Sequence, residues 1–159
     1  MSVTVGTVRH LHLILEHRGT PRSVPEVTAI VDRGLEGDIH SRKPRGRRQV
    51  LLVDASVLAA VGLRPGDLRE QITVDFPALD SIPVGTTLRI GQATVEVTGP
   101  CEPCTHIGTL AGVGDPAVLQ AALEGRRGQL VRVVAIEGDG RIQVGDPVAT
   151  VDARDATRP

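Results

Sequence analysis

Two short stretches, far apart in a chain of 159 residues, carry the side chains best suited to chemistry. Gly34, Leu35, Glu36, Gly37, Asp38, Ile39 and His40 form a segment with glycine at two corners that presents an acid and an imidazole. Gly99, Pro100, Cys101, Glu102, Pro103 and Cys104 form a second loop, which holds both cysteines of the protein. Glycine admits positive φ and close backbone approach, and in an extended segment Asp38 and His40, two apart, point the same way. Pro100 and Pro103 fix φ beside each thiol, which lowers the entropy cost of holding sulfur towards a metal or a substrate. The blander alternatives are an Asp38 that caps its own backbone beside an exposed His40, and cysteines that act as small half-buried hydrophobes.

Acid, imidazole and thiol together are the raw material of a metal site or of sulfur chemistry. Zinc is one alternative, because Cys101, Cys104, His106 and the distant His40 make four nitrogen and sulfur ligands. A thioredoxin-type redox pair fits less well, since the cysteine loop does not open a helix after a βαβ pattern. Arg42, Lys43, Arg45, Arg47 and Arg48 crowd into seven residues directly after His40. Such a run is either a solvated face or an anion patch, and guanidinium forks suit phosphate oxygens. Gly125, Arg126, Arg127 and Gly128 make a second glycine-flanked basic turn able to close over the same anion.

The elements that must position these loops are mostly strands. Apolar and polar residues alternate through Val3 to Leu15, and the same texture returns at 26–31, 49–54, 71–74, 87–90, 94–98, 130–136 and 147–151. Turn signals between them, such as Ile90-Gly91-Gln92 and Glu137 to Gly140, are spaced as in an all-β barrel. Two short helices are expected to decorate it, one over 54–61 behind Asp54 and one opening at Asp115-Pro116, where an N-cap precedes proline at the first helical position. The predicted fold is therefore mainly β, a strand-rich barrel-like domain over residues 1–151 with two or three short helices. Residues 152–159 lose apolar periodicity and read as a disordered tail.

Composition narrows the partners. Phe76 is the sole aromatic residue, so base-stacking platforms are nearly excluded and no nucleic-acid partner is expected. No apolar run reaches the ~20 residues of a membrane span, and the start lacks the features of a signal peptide, so a cytoplasmic protein with no membrane partner is expected. In a reducing compartment a C-x-x-C pair reads as thiols, ligands or a redox couple.

Five separated motifs then resemble one family. Gly-Leu-Glu-Gly-Asp-x-His at 34–40, the apolar strand at 49–53, Leu68-Arg69-Glu70-Gln71-Ile72-Thr73-Val74, the run from Ile90 through Glu96-Val97-Thr98-Gly99-Pro100 to Pro103-Cys104, and Gly125-Arg126 with Gln143-Val144-Gly145-Asp146 are similar to the MOSC domain. That family is named from the C-terminal domain of molybdenum cofactor sulfurase. The resemblance implies a stand-alone domain that binds molybdenum cofactor or carries sulfur, with Cys104 as the metal-ligating or persulfide-bearing thiolate. It implies proton-handling or supporting roles for Asp38 and His40, and cofactor contacts from Arg47, Arg48, Arg69, Gln71, Arg126 and Arg127. Cys101, an extra thiol, would resolve a persulfide or disulfide on Cys104. A small-molecule cofactor or substrate and a protein partner for sulfur or cofactor transfer are the expected partners. The alternatives are a molybdenum-dependent reductase of N-hydroxylated compounds and a zinc-stabilised binding module.

Overall fold

A computed structural model describes residues 2–102 and 114–151. Cys104, His106 and the tail at 152–159 lie outside the described residues. Among the described residues eleven strands run in chain order as β1 (Ser2–Leu13), β2 (Arg22–Val24), β3 (Glu26–Ile30), β4 (Gly34–Leu35), β5 (Val50–Asp54), β6 (Ile72–Asp75), β7 (Thr87–Ile90), β8 (Ala93–Pro100), β9 (Gln129–Ile136), β10 (Arg141–Gln143) and β11 (Pro147–Val151). Two α-helices accompany them among the described residues, α1 (Ala55–Ala60) and α2 (Pro116–Ala122).

Seven strands close into a barrel in the order β11-β7-β8-β9-β5-β6-β1, with β1 pairing back onto β11. Closure removes the unpaired edges that an open sheet would expose. Val24 of β2 lies opposite Leu11 on the far end of β1, and β10, β3 and β4 form a small second sheet. All barrel pairs are antiparallel except β5 with β6, where Leu52 lies opposite Ile72. A parallel pair needs a crossover, and here the connection runs through α1 and the turns at 61–71.

Strand β5 explains where the cores lie. Its sequence Val-Leu-Leu-Val-Asp is buried at every position, unlike β8, whose burial alternates. Val50 and Leu52 face the barrel interior with Val8, Leu11, Ile72, Val95 and Phe76. Leu51 and Val53 face outward into a second cluster with Leu58, Leu68, Leu119 and Leu123, against which Cys101 and Leu130 pack. A strand covered on both faces loses its polar alternation. Burying each of these leucines contributes roughly 1.5–3 kcal/mol, so the two helices are held to the barrel mainly by this second cluster.

The strands expected from alternation correspond to β1, β3, β5, β6, β7, β8, β9 and β11. The short β2, β4 and β10, of two or three residues, leave too little pattern to read. Helix α2 begins as expected: Asp115 accepts from the N–H of Ala117 at 3.1 Å and of Val118 at 3.3 Å, and Pro116 follows it. Asp54 differs. It stands at the N-cap position of α1, but its carboxylate accepts from Phe76 N–H at 3.0 Å and from the Ser56 hydroxyl, tying the helix start to the end of β6. No helix among the described residues is long and apolar enough to cross a membrane.

Candidate functional site

The segment after β4 is built by its glycines. Gly34 adopts φ +121 where a Cβ would stand 2.9 Å from the Gln49 carbonyl oxygen, so the chain can pass this close to β5 only without a side chain. Gly37 adopts φ +88 and turns the backbone out of the β3–β4 pairing, in which Leu35 lies opposite Ala29. The chain then winds into a single 3-10 turn over Ile39–Ser41 instead of the extended segment expected from spacing. Asp38 caps that turn, accepting from His40 N–H at 2.9 Å, and the turn brings the His40 ring back onto the same carboxylate. Capping and chemistry, separate alternatives in the sequence, are here one arrangement.

Asp38 is 1% exposed and its carboxylate is saturated. Oδ1 accepts from His40 N–H and lies 2.7 Å from His40 Nδ1; Oδ2 accepts from Ile14 N–H at 2.9 Å and from Gln71 Nε2 at 3.3 Å. Burial pushes the Asp38 carboxyl up, but the His40 ring and the N–H groups of Ile14 and His40 outweigh it and hold it below the ordinary value. An ionised carboxylate only accepts, so Nδ1 of His40 carries a hydrogen towards Asp38, and Nε2 is the ring nitrogen turned away from it. The ring is partly open, with 22% of the His40 side chain exposed.

Gln71 is the second brace. It is fully buried immediately before β6, and its Oε1 accepts from Leu51 N–H at 2.8 Å. That bond fixes which end of the amide faces Asp38 and makes Nε2 the donor to Oδ2. Nε2 also approaches His40 Nδ1 at 3.3 Å, a contact between two donors in the tautomer set by Asp38, hence a steric limit on the ring and not a hydrogen bond.

Two arginines border this centre. Arg48 donates to the Arg69 carbonyl at 3.2 Å, and Arg69, at φ +59, donates through Nη1 to the Gly19 carbonyl and through Nη2 to that of Glu16 at 3.5 Å. Burial, then the neighbouring Arg48 charge, holds the Arg69 guanidinium below its ordinary value, with Asp38 pulling the other way. Arg69 therefore ties the turn after β1 to the site while keeping a cation near Asp38.

The other predicted residues among those described stand in four different places. Arg47 is exposed and lines a cleft with Thr98, Gly99, Pro100 and Arg132. Arg126 donates to the Ala122 carbonyl at 2.8 Å at the end of α2 and lines a groove with Ala60, Val61 and Val118. Arg127 is 4% exposed and donates to the Leu68 carbonyl at 2.9 Å, which anchors the turn before Arg69. Cys101 is half-buried, its N–H bonded to the Gly128 carbonyl at 2.9 Å and its thiol packed against the helix-side core. Among the described residues no group of three or more His, Cys, Asp or Glu could hold a metal, and the predicted ligand Cys104 and the zinc alternative's His106 are not described.

Some supports were not read from the sequence. Ile14 contributes only a backbone N–H to Asp38, which no side-chain pattern signals. Gln49 donates to Asp32 at 3.2 Å and accepts from Val133 N–H at 3.0 Å; a glutamine next to a continuous apolar strand was its one signal. Glu70 is fully buried and accepts from the N–H of Gly66 and Leu68 and from the Thr73 hydroxyl at 2.8 Å.

The MOSC domain model matches residues 40–149, more than two thirds of the chain. This chain belongs to the MOSC domain family. Solved structures with the same fold include the YUAD protein from Bacillus subtilis, at 18% identity and TM-score 0.76 over 96% of this chain and 99% of that one. YiiM from Escherichia coli is 19% identical with TM-score 0.64, over 92% of this chain and 70% of its own. YiiM from Geobacillus stearothermophilus is 18% identical with TM-score 0.65, over 96% and 76%. At these identities the likeness concerns the fold. No curated protein matches.

Proposed function

We propose that this MOSC domain binds molybdenum cofactor or carries sulfur through Cys104, with His40 as its proton-moving group. The observation that carries the proposal is the Asp38–His40 pair: a buried carboxylate holds Nδ1 at 2.7 Å and leaves Nε2 as the working nitrogen. Ile14 N–H and Gln71 Nε2 hold the other carboxylate oxygen, so the orientation of Asp38 towards His40 Nδ1 is fixed within the fold.

The donor set suits the cofactor. A thiolate is a soft ligand for a soft, sulfur-rich centre, and the half-buried Arg48 and Arg69 offer positive charge to an anionic pterin phosphate. When bound, the cofactor supplies the redox chemistry. The chain's own part is to offer the thiol, to hold the anion, and to give or take a proton at His40 Nε2. His40 does this without changing the charge on Asp38, since the carboxylate keeps its proton-free state and stabilises the imidazolium that forms.

The poised Nε2 also favours a second reading, a reductase of N-hydroxylated compounds in which His40 supplies protons to the departing oxygen. His40→Ala separates the two. In a reductase it lowers turnover by about 10²–10⁴ while loading persists. In a carrier, loading also persists, and transfer from Cys104 slows only as far as the thiol depends on His40 to take its proton. Failure of both loading and transfer in the wild-type protein would overturn the proposal.

A further inference from the structure

A second cleft opens in the barrel surface where strand β8 is irregular. Strand β8 carries a bulge there: Val97 lies opposite Val131 and Gly99 opposite Leu130, so Thr98 is the extra residue. The next residue, Gly99, has no side chain, and a Cβ built on it meets nothing within 4 Å. An unpaired residue followed by a missing side chain opens the sheet surface, and bulges commonly re-aim side chains around sites. The resulting cleft, of about 340 Å³, is lined by Gly46, Arg47, Thr98, Gly99, Pro100, Leu130 and Arg132.

Its two cations come from separate, braced elements. Arg132 projects from β9 and is held by Glu96 at 3.2 Å and Asp32 at 3.9 Å. Arg47 makes no hydrogen bond or ion pair among the described residues, yet the loop that carries it is fixed. Arg33 donates to the carbonyls of Ser41 and Arg42 at 3.2 Å, Arg45 N–H donates to the Asp32 carbonyl at 2.7 Å, and Gln49 bridges Asp32 and β9. Thr98 spends its hydroxyl hydrogen on the Leu130 carbonyl at 3.1 Å, so the guanidiniums supply the charge and the hydrogen-bond donors. Holding a side chain or its loop in place before binding lowers the entropy lost on binding.

We propose that this cleft is a subsite for a small organic anion: an oxyanion head clasped by Arg47 and Arg132, on an apolar body lying over Gly99, Pro100 and Leu130. Guanidiniums from two walls favour a head with several oxygens, as in a phosphate monoester or a carboxylate. The apolar floor favours an organic body over a bare ion. His40 and Cys104 take no part, and Arg47, which the family resemblance gave to the cofactor, is assigned here to this anion instead.

The test is titration of the ¹⁵N-labelled full chain with phenyl phosphate, benzoate, inorganic phosphate and phenol. Saturable shifts centred on Thr98, Gly99, Leu130 and Arg132 are expected for the first two, with phenol inert and inorganic phosphate weaker than phenyl phosphate. Whichever of phenyl phosphate and benzoate binds tighter identifies the head. Arg47→Ala and Arg132→Ala should each weaken binding by about tenfold or more. Arg42→Ala, in the same basic run but outside the cleft, should not. Glu96→Gln keeps an oxygen to accept from Arg132 Nε, so the brace survives, but removes the competing negative charge, and binding should be equal or tighter. Amide spectra of each variant report folding directly. Phenol binding as well as phenyl phosphate, affinity indifferent to Arg47 and Arg132, or no saturation by any anion below about 10 mM would overturn the proposal.

Discussion

Replacing Asp38 by asparagine should invert the His40 tautomer. The carboxylate serves four donors, and an amide has one oxygen to offer. Ile14 N–H and Gln71 Nε2 can only donate, and Gln71 is pinned in orientation by Leu51 N–H. The amide oxygen therefore takes the place of Oδ2, and the amide nitrogen faces His40. The ring can respond, because a neutral imidazole accepts at one nitrogen as easily as it donates. Nδ1 becomes an acceptor, the proton moves to Nε2, and His40 N–H is left facing a donor. One unpaired, partly buried N–H costs about 1–3 kcal/mol, which urea denaturation resolves. The pH dependence has a fixed sign. Asp38 is held below its ordinary value of 3.8, so its stabilisation is complete above that pH and is lost as pH falls through the lower folded value. The stability gap between wild type and Asp38→Asn should thus narrow below pH 3.8. Long-range ¹H–¹⁵N spectra of the imidazole give the tautomer directly. A proton on Nδ1 in both proteins, or a gap that widens in acid, would refute this assignment of donors.

Glu70 should behave oppositely to Asp38. Burial pushes its carboxyl above the ordinary 4.5 despite its hydrogen bonds, so the protonated form is favoured in the fold. Wild-type stability, measured against Glu70→Gln, should fall as pH rises from 4.5 through the raised folded value, and parallel curves would contradict this. Gly128→Ala should be far more damaging than Gly125→Ala. Both residues have positive φ, a strain of about 1–3 kcal/mol for alanine, but at 128 the new Cβ also meets the Leu52 carbonyl and Val53, whereas at 125 it meets nothing. Equal melting temperatures for the two variants would count against the tight passage of Gly128 beside β5.

Much of the barrel was legible because strand alternation is a local property. β8, half-buried, announces itself by pattern, and β5 by its lack of one. The family was legible because its motifs are short contiguous runs, some in strands β5, β6 and β8 and some in the turns between elements. The Asp38–His40 contact was legible as residue types but not as geometry, since a 3-10 turn and an extended segment place residues i and i+2 quite differently. The arginines were the least legible. Arg47, Arg48, Arg126 and Arg127 look alike in sequence, yet they occupy an open cleft, a loop clamp, a helix end and a buried anchor. Guanidiniums have long stems, and what they reach depends on carbonyls such as those of Leu68 and Ala122, which side-chain patterns do not encode.

The most direct test of the central claim is metal and intact-mass analysis of the protein produced in a host that makes molybdenum cofactor, beside Cys104→Ser and Cys101→Ser. The expected result is either molybdenum with an oxidisable pterin fluorophore or a mass increment of bound sulfur. It should be lost in Cys104→Ser and at most weakened in Cys101→Ser, because serine is a poor soft ligand and Cys101 is engaged with the helix-side core. Wild type and Cys104→Ser loaded equally, or stoichiometric zinc with a large loss of thermal stability in both variants, would contradict it.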